Sequence, residues 1–307
     1  RHRAEAVAVR AVLRLVRGLP LPAAVALSSF LGTLMRYVVP SRARVAREQM
    51  AAALGRTPDD PDVRAWTRQS FRHFIDLALV LLRAPARVER DGPQSLVAFE
   101  GRERLDAALA RGRGVILLTG HFGNWELFGL TAALFGIPMV GVARPLKNRL
   151  LDTELLRLRS RFGQRLVSKE SAALPFARAL KQGECVTLLN DQHAGSRGLR
   201  VPFFHADAST YTMAAALARR FDAPIVPWFA RVDGRLHVTV CMEEPLWSRP
   251  ELDAEEDAYQ LTRRFHHRLE AAIRADPGQY LWFHRRWKPG GREARAEWRA
   301  RYDPAPA

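Results

Sequence analysis

The stretch Val115-Ile116-Leu117-Leu118-Thr119-Gly120-His121-Phe122-Gly123-Asn124-Trp125-Glu126 decides the fold. The apolar run from Val115 to Thr119 reads as a strand. It leads into Gly120, then His121, then Gly123, and the residues from Asn124 onward read as the first turn of a helix. In open α/β sheets ligands bind at the carboxyl ends of the strands, where loops and helix N-termini converge. A histidine delivered to that edge is well placed for catalysis.

Outward from this stretch the pattern alternates. Strands are expected at 96–100, 115–119, 137–143, 165–168, 184–190, 224–231 and 235–242. Helices are expected at 102–111, about 124–135, 149–162, 172–181, 209–221 and 255–275, with a polar loop reaching to about 200. Strands alternating with helices of this length predict an α/β fold with a mixed, partly parallel central sheet flanked by helices. Residues 41–85 read as helical and include a segment from about Asp62 to Arg83 with Trp66, Phe71, Phe74, Leu77 and Leu81 among its apolar positions.

The N-terminus differs in kind. Val9, Val12, Leu13 and Val16 recur at helical spacing opposite Arg10, Arg14 and Arg17, which predicts a basic amphipathic helix over 6–17. From Gly18 to Met35 there is no charge, a length at the lower limit for spanning a bilayer and shortened by Pro20 and Pro22. Both segments are expected to lie in a membrane interface with basic residues toward anionic headgroups. Packing as an ordinary helical hairpin is the competing reading. The expected organisation is a membrane-associating helical segment over 1–40, a catalytic domain over 41–290 with a helical cap (41–90) and an α/β core (91–290), and an Arg/Ala-rich tail over 291–307.

Charge narrows the partners. The 307 residues carry a formal net charge of +16, and residues 1–50 hold nine Arg against Glu5 and Glu48. Such a balance calls for nucleic acid, an anionic membrane, or an acidic carrier and phosphorylated substrate. No RNA-binding signature, zinc-finger spacing or glycine-arginine repeat accompanies it, which argues against nucleic acid. Cys185 and Cys241 sit far apart in apolar strand-like runs and read as buried hydrophobes rather than a metal pair.

The chemistry begins at His121. An imidazole titrates near neutrality and can take a hydroxyl proton as the oxygen attacks. It works best when its second nitrogen is held by a carboxylate, and Glu126, about one helical turn on, is the expected partner. Gly123 and Asn124, at the helix start, offer backbone N–H groups for an oxyanion or a phosphate. The hexapeptide from His121 to Glu126 contains no Ser or Cys to act as a covalent nucleophile, so direct attack by an acceptor hydroxyl is the simpler mechanism.

His121-Phe122-Gly123-Asn124-Trp125-Glu126 resembles the H-x-x-x-x-D/E motif of the glycerolipid acyltransferase superfamily, and in particular that of the bacterial lipid A biosynthesis late (lauroyl/myristoyl) acyltransferases. Ala143-Arg144-Pro145-Leu146-Lys147-Asn148, Asn190-Asp191-Gln192, Val201-Pro202-Phe203-Phe204 with Thr210, and Gln279 to Lys288 resemble further segments of that family. The resemblance spans about residues 20–290. It implies an O-acyltransferase that moves a fatty acyl chain from acyl-ACP or acyl-CoA to a hydroxyl of an anionic glycolipid, with a lipid A precursor as the expected acceptor. It further implies a bacterial protein at the cytoplasmic face of the inner membrane, peripheral or held by a single N-terminal anchor, with no metal and no cofactor. Arg144 and Lys147 are the implied substrate-binding cations. Asp191 and Gln192 are expected to support the His121–Glu126 pair or bind the acceptor. Alternatives are acylation of another membrane lipid, such as a phosphatidylinositol mannoside, or an inactive lipid-binding protein. His284, Arg285, Arg286 and Lys288, interleaved with Trp282 and Trp287, are expected at the membrane surface or at a docking patch for an acidic carrier.

Overall fold

The computed structural model describes residues 18–143, 145, 148–233 and 237–288. The expected helix at 6–17 and the tail at 291–307 lie outside the described residues, as do Arg144 and Lys147.

Among the described residues three helices come first: α1 (Leu21–Val38), α2 (Pro40–Leu54) and α3 (Pro61–Asp91). Proline opens or follows the opening of each, where its missing N–H costs nothing. Asp60 caps α3 by accepting from the Asp62 N–H at 2.8 Å. That helix runs past the expected end at Arg83 and carries Pro85 inside it. α1 packs on α3 through Ala24, Ser28 and Gly32, a stripe of small residues at i, i+4 and i+8. A Cβ on Gly32 would stand 2.5 Å from the Arg72 Cα, so only glycine permits this backbone approach. Ser28 Oγ donates to the Asp76 carboxylate across the same seam. The large apolar residues of α1, Phe30, Leu31, Leu34, Tyr37 and Val38, face outward instead.

The α/β core follows as β1 (Val97–Glu100), α4 (Arg102–Leu109), β2 (Val115–Thr119), α5 (Trp125–Thr131), β3 (Met139–Ala143), α6 (Arg149–Arg159), β4 (Arg165–Ser168), α7 (Ala173–Lys181) and β5 (Cys185–Leu189). It continues with β6 (Leu199–Phe203), β7 (Ala206–Thr210), α8 (Met213–Phe221), β8 (Ile225–Val232), β9 (Val238–Met242) and α9 (Ala254–Ala275). Among the described residues these strands form a seven-stranded sheet in the order β1-β9-β8-β2-β5-β3-β4, parallel except for the β8–β9 pair, and a separate β6–β7 hairpin. Every residue of β2 is buried, as expected for a central parallel strand covered on both faces.

Two expectations fail here. Residues 199–210 form a hairpin rather than the end of a loop and the start of a helix, and α8 begins only at Met213. The hairpin lies on α9, where Pro202 breaks the apolar alternation that would have announced a strand and gives its carbonyl to His266 Nδ1 at 2.8 Å. Cys185 is buried, but Cys241 is only partly so, with its thiol donating to Glu100 at 3.2 Å.

Candidate active site

β2 and β5 are parallel neighbours with Thr119 opposite Leu189. His121 and Asp191 therefore each lie two residues beyond a strand end, at the same edge of the sheet. His121 Nδ1 donates to Asp191 Oδ1 at 2.7 Å, and the His121 backbone N–H donates to Asp191 Oδ2 at 2.8 Å. One carboxylate thus fixes both ring and backbone.

Because a carboxylate only accepts, Nδ1 carries a proton, and in the neutral ring Nε2 is then the acceptor. Gln192 Nε2 donates to that nitrogen at 3.3 Å. The Trp125 indole meets the imidazole edge-on at 4.9 Å and limits its rotation. Asp191 is 3% exposed. Burial would raise its pKa, but the His121 ring, the hydrogen bonds from His121 and the Arg286 charge hold it at about 2.

The structure does not place Glu126 against the imidazole. It accepts from Arg159 Nε at 2.8 Å and from Arg159 Nη2, a bidentate pair joining the start of α5 to the end of α6. Glu126 lies on the face of α5 that meets α6, and the imidazole Nδ1 is already taken by Asp191. Asp191 holds the position beside the imidazole.

Gly123 and Asn124 also depart from expectation, because neither N–H is available to a ligand. Gly123 has φ +60 and donates to the Gln279 carbonyl at 3.0 Å, while its own carbonyl accepts from His73 at 3.1 Å. Asn124 N–H donates to the Ala230 carbonyl at 2.7 Å, and Asn124 Oδ1 caps α5 by accepting from the Leu127 N–H at 3.0 Å. Both residues build the turn that presents His121.

The closing segment is structural as well. Leu281 N–H donates to the His121 carbonyl at 3.1 Å. Arg286 is buried and donates to the carbonyls of Ser209 (2.5 Å) and Gln192 (3.3 Å) and to Thr210 Oγ1 (2.6 Å). Burial lowers its pKa to about 10. Trp282 is buried too, so these two residues close the core instead of facing a membrane, while Arg285 and Lys288 are exposed. Buried Tyr280 lies beside Asp191, and burial followed by that charge pushes its phenol pKa well up.

His121 lines a cavity of about 480 Å³ at the carboxyl edge of β2, β3 and β5, bordered by α5, α6 and the start of α8. Met139, Gly141, Leu155, Leu166, Leu189 and Trp228 supply its apolar lining, with Glu126, Arg159 and Gln192 among its polar groups. Arg159 escaped the sequence reading: among 48 Lys and Arg residues nothing local marks it. Trp125 was legible only as an unusual neighbour of Asn124.

A sequence profile described as bacterial lipid A biosynthesis acyltransferase matches residues 2–289. The lipid A biosynthesis lauroyltransferase of Escherichia coli K12 is 34% identical over 194 residues, 61% of this chain and 60% of that protein. The palmitoleoyltransferase of lipid A biosynthesis from the same strain is 27% identical over 285 residues, covering 88% of this chain and 86% of the relative. A lipid A biosynthesis acyltransferase of Haemophilus influenzae is 25% identical over 188 residues, 60% of this chain and 57% of that protein. In the first and last of these alignments the chain spans about three fifths of the relative's length.

Proposed function

Because the chain belongs to the bacterial lipid A biosynthesis acyltransferase family, we propose that it transfers a fatty acyl group from an acyl thioester to a hydroxyl of a lipid A precursor. His121 is the general base and Asp191 the carboxylate that orients it. The observation that carries this reading is the buried Asp191 holding Nδ1–H at 2.7 Å in a histidine that lines a partly apolar cavity.

The cavity takes the hydrocarbon of the donor, acyl-ACP or acyl-CoA, and its thioester carbonyl rests near Gln192. The acceptor hydroxyl displaces the Gln192 amide from Nε2 and attacks the carbonyl carbon as Nε2 takes its proton. The freed Gln192 N–H then faces the oxyanion. Collapse breaks the carbon–sulfur bond, the imidazolium returns its proton to the sulfur, and an ester and a free thiol leave. Nδ1–H stays with Asp191 throughout. No covalent enzyme intermediate and no cofactor is involved. Arg159, aligned by Glu126, offers a planar cation to a substrate phosphate at the cavity.

Among the described residues no single helix is long and apolar enough to cross a membrane, although α1 and α2, bent by 96°, pass that test as a pair. We place the outward apolar face of α1 in the cytoplasmic leaflet of the inner membrane, with the net charge of +16 drawn to anionic headgroups. The test is transfer from labelled acyl-ACP or acyl-CoA to a lipid A precursor or to a phosphatidylinositol mannoside, read by mass spectrometry of the lipid. The wild type is expected to acylate the lipid A precursor, and folded His121→Ala to lose roughly 10²–10⁴ in rate. Near-native transfer by His121→Ala removes the mechanism, and a product only on the mannoside replaces the acceptor.

A further inference from the structure

Gln192 borders a second recess besides the cavity described above. A groove of about 370 Å³ runs between the end of α1, the start of α2, α3 and the segment 281–284, and shares Gln192 with that cavity. Met35, Val39, Phe71, Phe74, Ile75 and Phe283 make it apolar, and Arg42 and His284 stand on its border. Phe283 anchors one wall, 5.1 Å from the rings of both Phe71 and Phe74. Arg42 Nη1 donates to the Phe283 carbonyl at 3.2 Å, so a cation is tied to the rim.

The groove is continuous with the outward apolar face of α1. Phe74 is at once a groove residue and 42% exposed, and Val38, beside groove residue Val39, is 62% exposed. Contiguous apolar surface of this kind is rare on a soluble monomer and marks a contact with lipid or protein. A protein partner leaves unexplained why the groove ends at Gln192, whose amide touches the catalytic nitrogen. A hydrocarbon chain carrying an anionic head fits the apolar walls, the rim arginine and the inner end alike.

We propose that this groove receives a hydrocarbon chain of the lipid acceptor directly from the bilayer, while the cavity under α5 and α6 holds the chain being transferred. The inference rests on the acyltransferase reading. Its two ligands then approach His121 through two recesses that share Gln192, and the reacting hydroxyl and thioester meet there. The acceptor is thereby selected as a lipid already in the membrane rather than as a free headgroup.

The test uses the full chain on phosphatidylglycerol/phosphatidylethanolamine vesicles and two photoactivatable probes with the same diazirine-tipped acyl chain, one built on a lipid A precursor and one on phosphatidylglycerol. The precursor probe is expected to label peptides containing Phe74 and Phe283, and an excess of unlabelled precursor to reduce that labelling at least tenfold. The phosphatidylglycerol probe is expected to label only the outer face of α1 around Phe30 and Leu34. As a second readout, Phe74→Glu, at a position exposed enough to tolerate charge, should lower kcat/KM at least tenfold for the acylated precursor relative to its deacylated headgroup. Identical labelling by both probes, labelling of the cavity under α5 and α6 by the acceptor chain, or an equal effect of Phe74→Glu on both acceptors overturns the proposal. Groove labelling by a wild type that transfers no acyl group to any acceptor refutes the acyltransferase reading and leaves the groove standing.

Discussion

Replacing Asp191 by Asn separates shape from charge at the imidazole. The isostere has one oxygen where the carboxylate has two, and both are in use, one by the His121 backbone N–H at 2.8 Å and one by Nδ1 at 2.7 Å. The backbone donor cannot change, so the amide oxygen stays with it and the amide NH₂ faces the ring. Nδ1 must then accept, which moves the ring proton to Nε2 and blocks the base. Regaining the productive tautomer means turning an NH₂ toward a buried N–H, at about 1–3 kcal/mol. The imidazolium formed during reaction also loses its counter-charge, worth up to about 4 kcal/mol at 4 Å in an effective dielectric near 20. Together these set the loss at up to about 5–7 kcal/mol, roughly 10⁴–10⁵ in turnover at most. The assay is kcat and KM for a lipid A precursor, with nitrogen NMR reporting the His121 tautomer and circular dichroism the fold. A folded Asp191→Asn protein within tenfold of wild-type kcat, or one whose ring keeps its proton on Nδ1, refutes the reasoning.

Glu126→Gln should act differently: by loosening Arg159 it raises KM for the phosphorylated substrate roughly tenfold, in line with about 1.5–3 kcal/mol for a charge-assisted hydrogen bond, and it leaves the His121 tautomer unchanged. A fall in kcat matching that of Asp191→Asn, with no change in KM, would return Glu126 to the imidazole. Gly123→Ala should destabilise the fold by about 4 kcal/mol or more, because a Cβ there would stand 1.7 Å from the Ala230 carbonyl oxygen at a backbone φ of +60; a denaturant midpoint near that of the wild type disproves it. His266, buried beside Arg286, has its pKa lowered to about 3 by burial first and that charge second. The unfolded chain protonates this ring near pH ~6.5 while the fold refuses the proton down to about 3, so stability falls as pH drops through that window by about 1.4 kcal/mol per pH unit. His266→Asn should flatten urea-derived stability between pH 6 and 4 by that amount, and an unchanged slope excludes His266 as the titrating group.

The alternation of strands and helices was legible from Val97 to Leu189 and again from Met213 to Met242, because apolar runs and glycine turns are local properties, whereas the hairpin at 199–210 was not. The site was legible only in part. His121 and Asp191 could each be placed just beyond a strand, but their meeting depends on β2 and β5 being neighbours, a fact of sheet order that no local pattern encodes. Glu126 drew attention by sequence proximity, and its partner Arg159 lies on a different helix. Arg286 misled for a related reason: a cation among aromatics reads as surface, and its burial is offset by three oxygen acceptors on the 192 and 209–210 segments. In α1 the inversion of small residues inward and large ones outward is written in the sequence, but it shows only once α3 supplies an inside.

The strap of residues 280–286 gives the site a birth order. Some 165 residues separate His121 from the Arg286 that clamps the Gln192 carbonyl. At the usual pace of about 5–20 residues per second, roughly 10–30 s of synthesis pass between them. During that interval the cavity-lining residues from Met139 to Trp228 and the carboxylate of Asp191 are made, and the clamp on the loop that carries Asp191 comes after them. The last-made stretch is therefore also the piece that completes the site, because Arg286 ties the Gln192 carbonyl to the 209–210 segment.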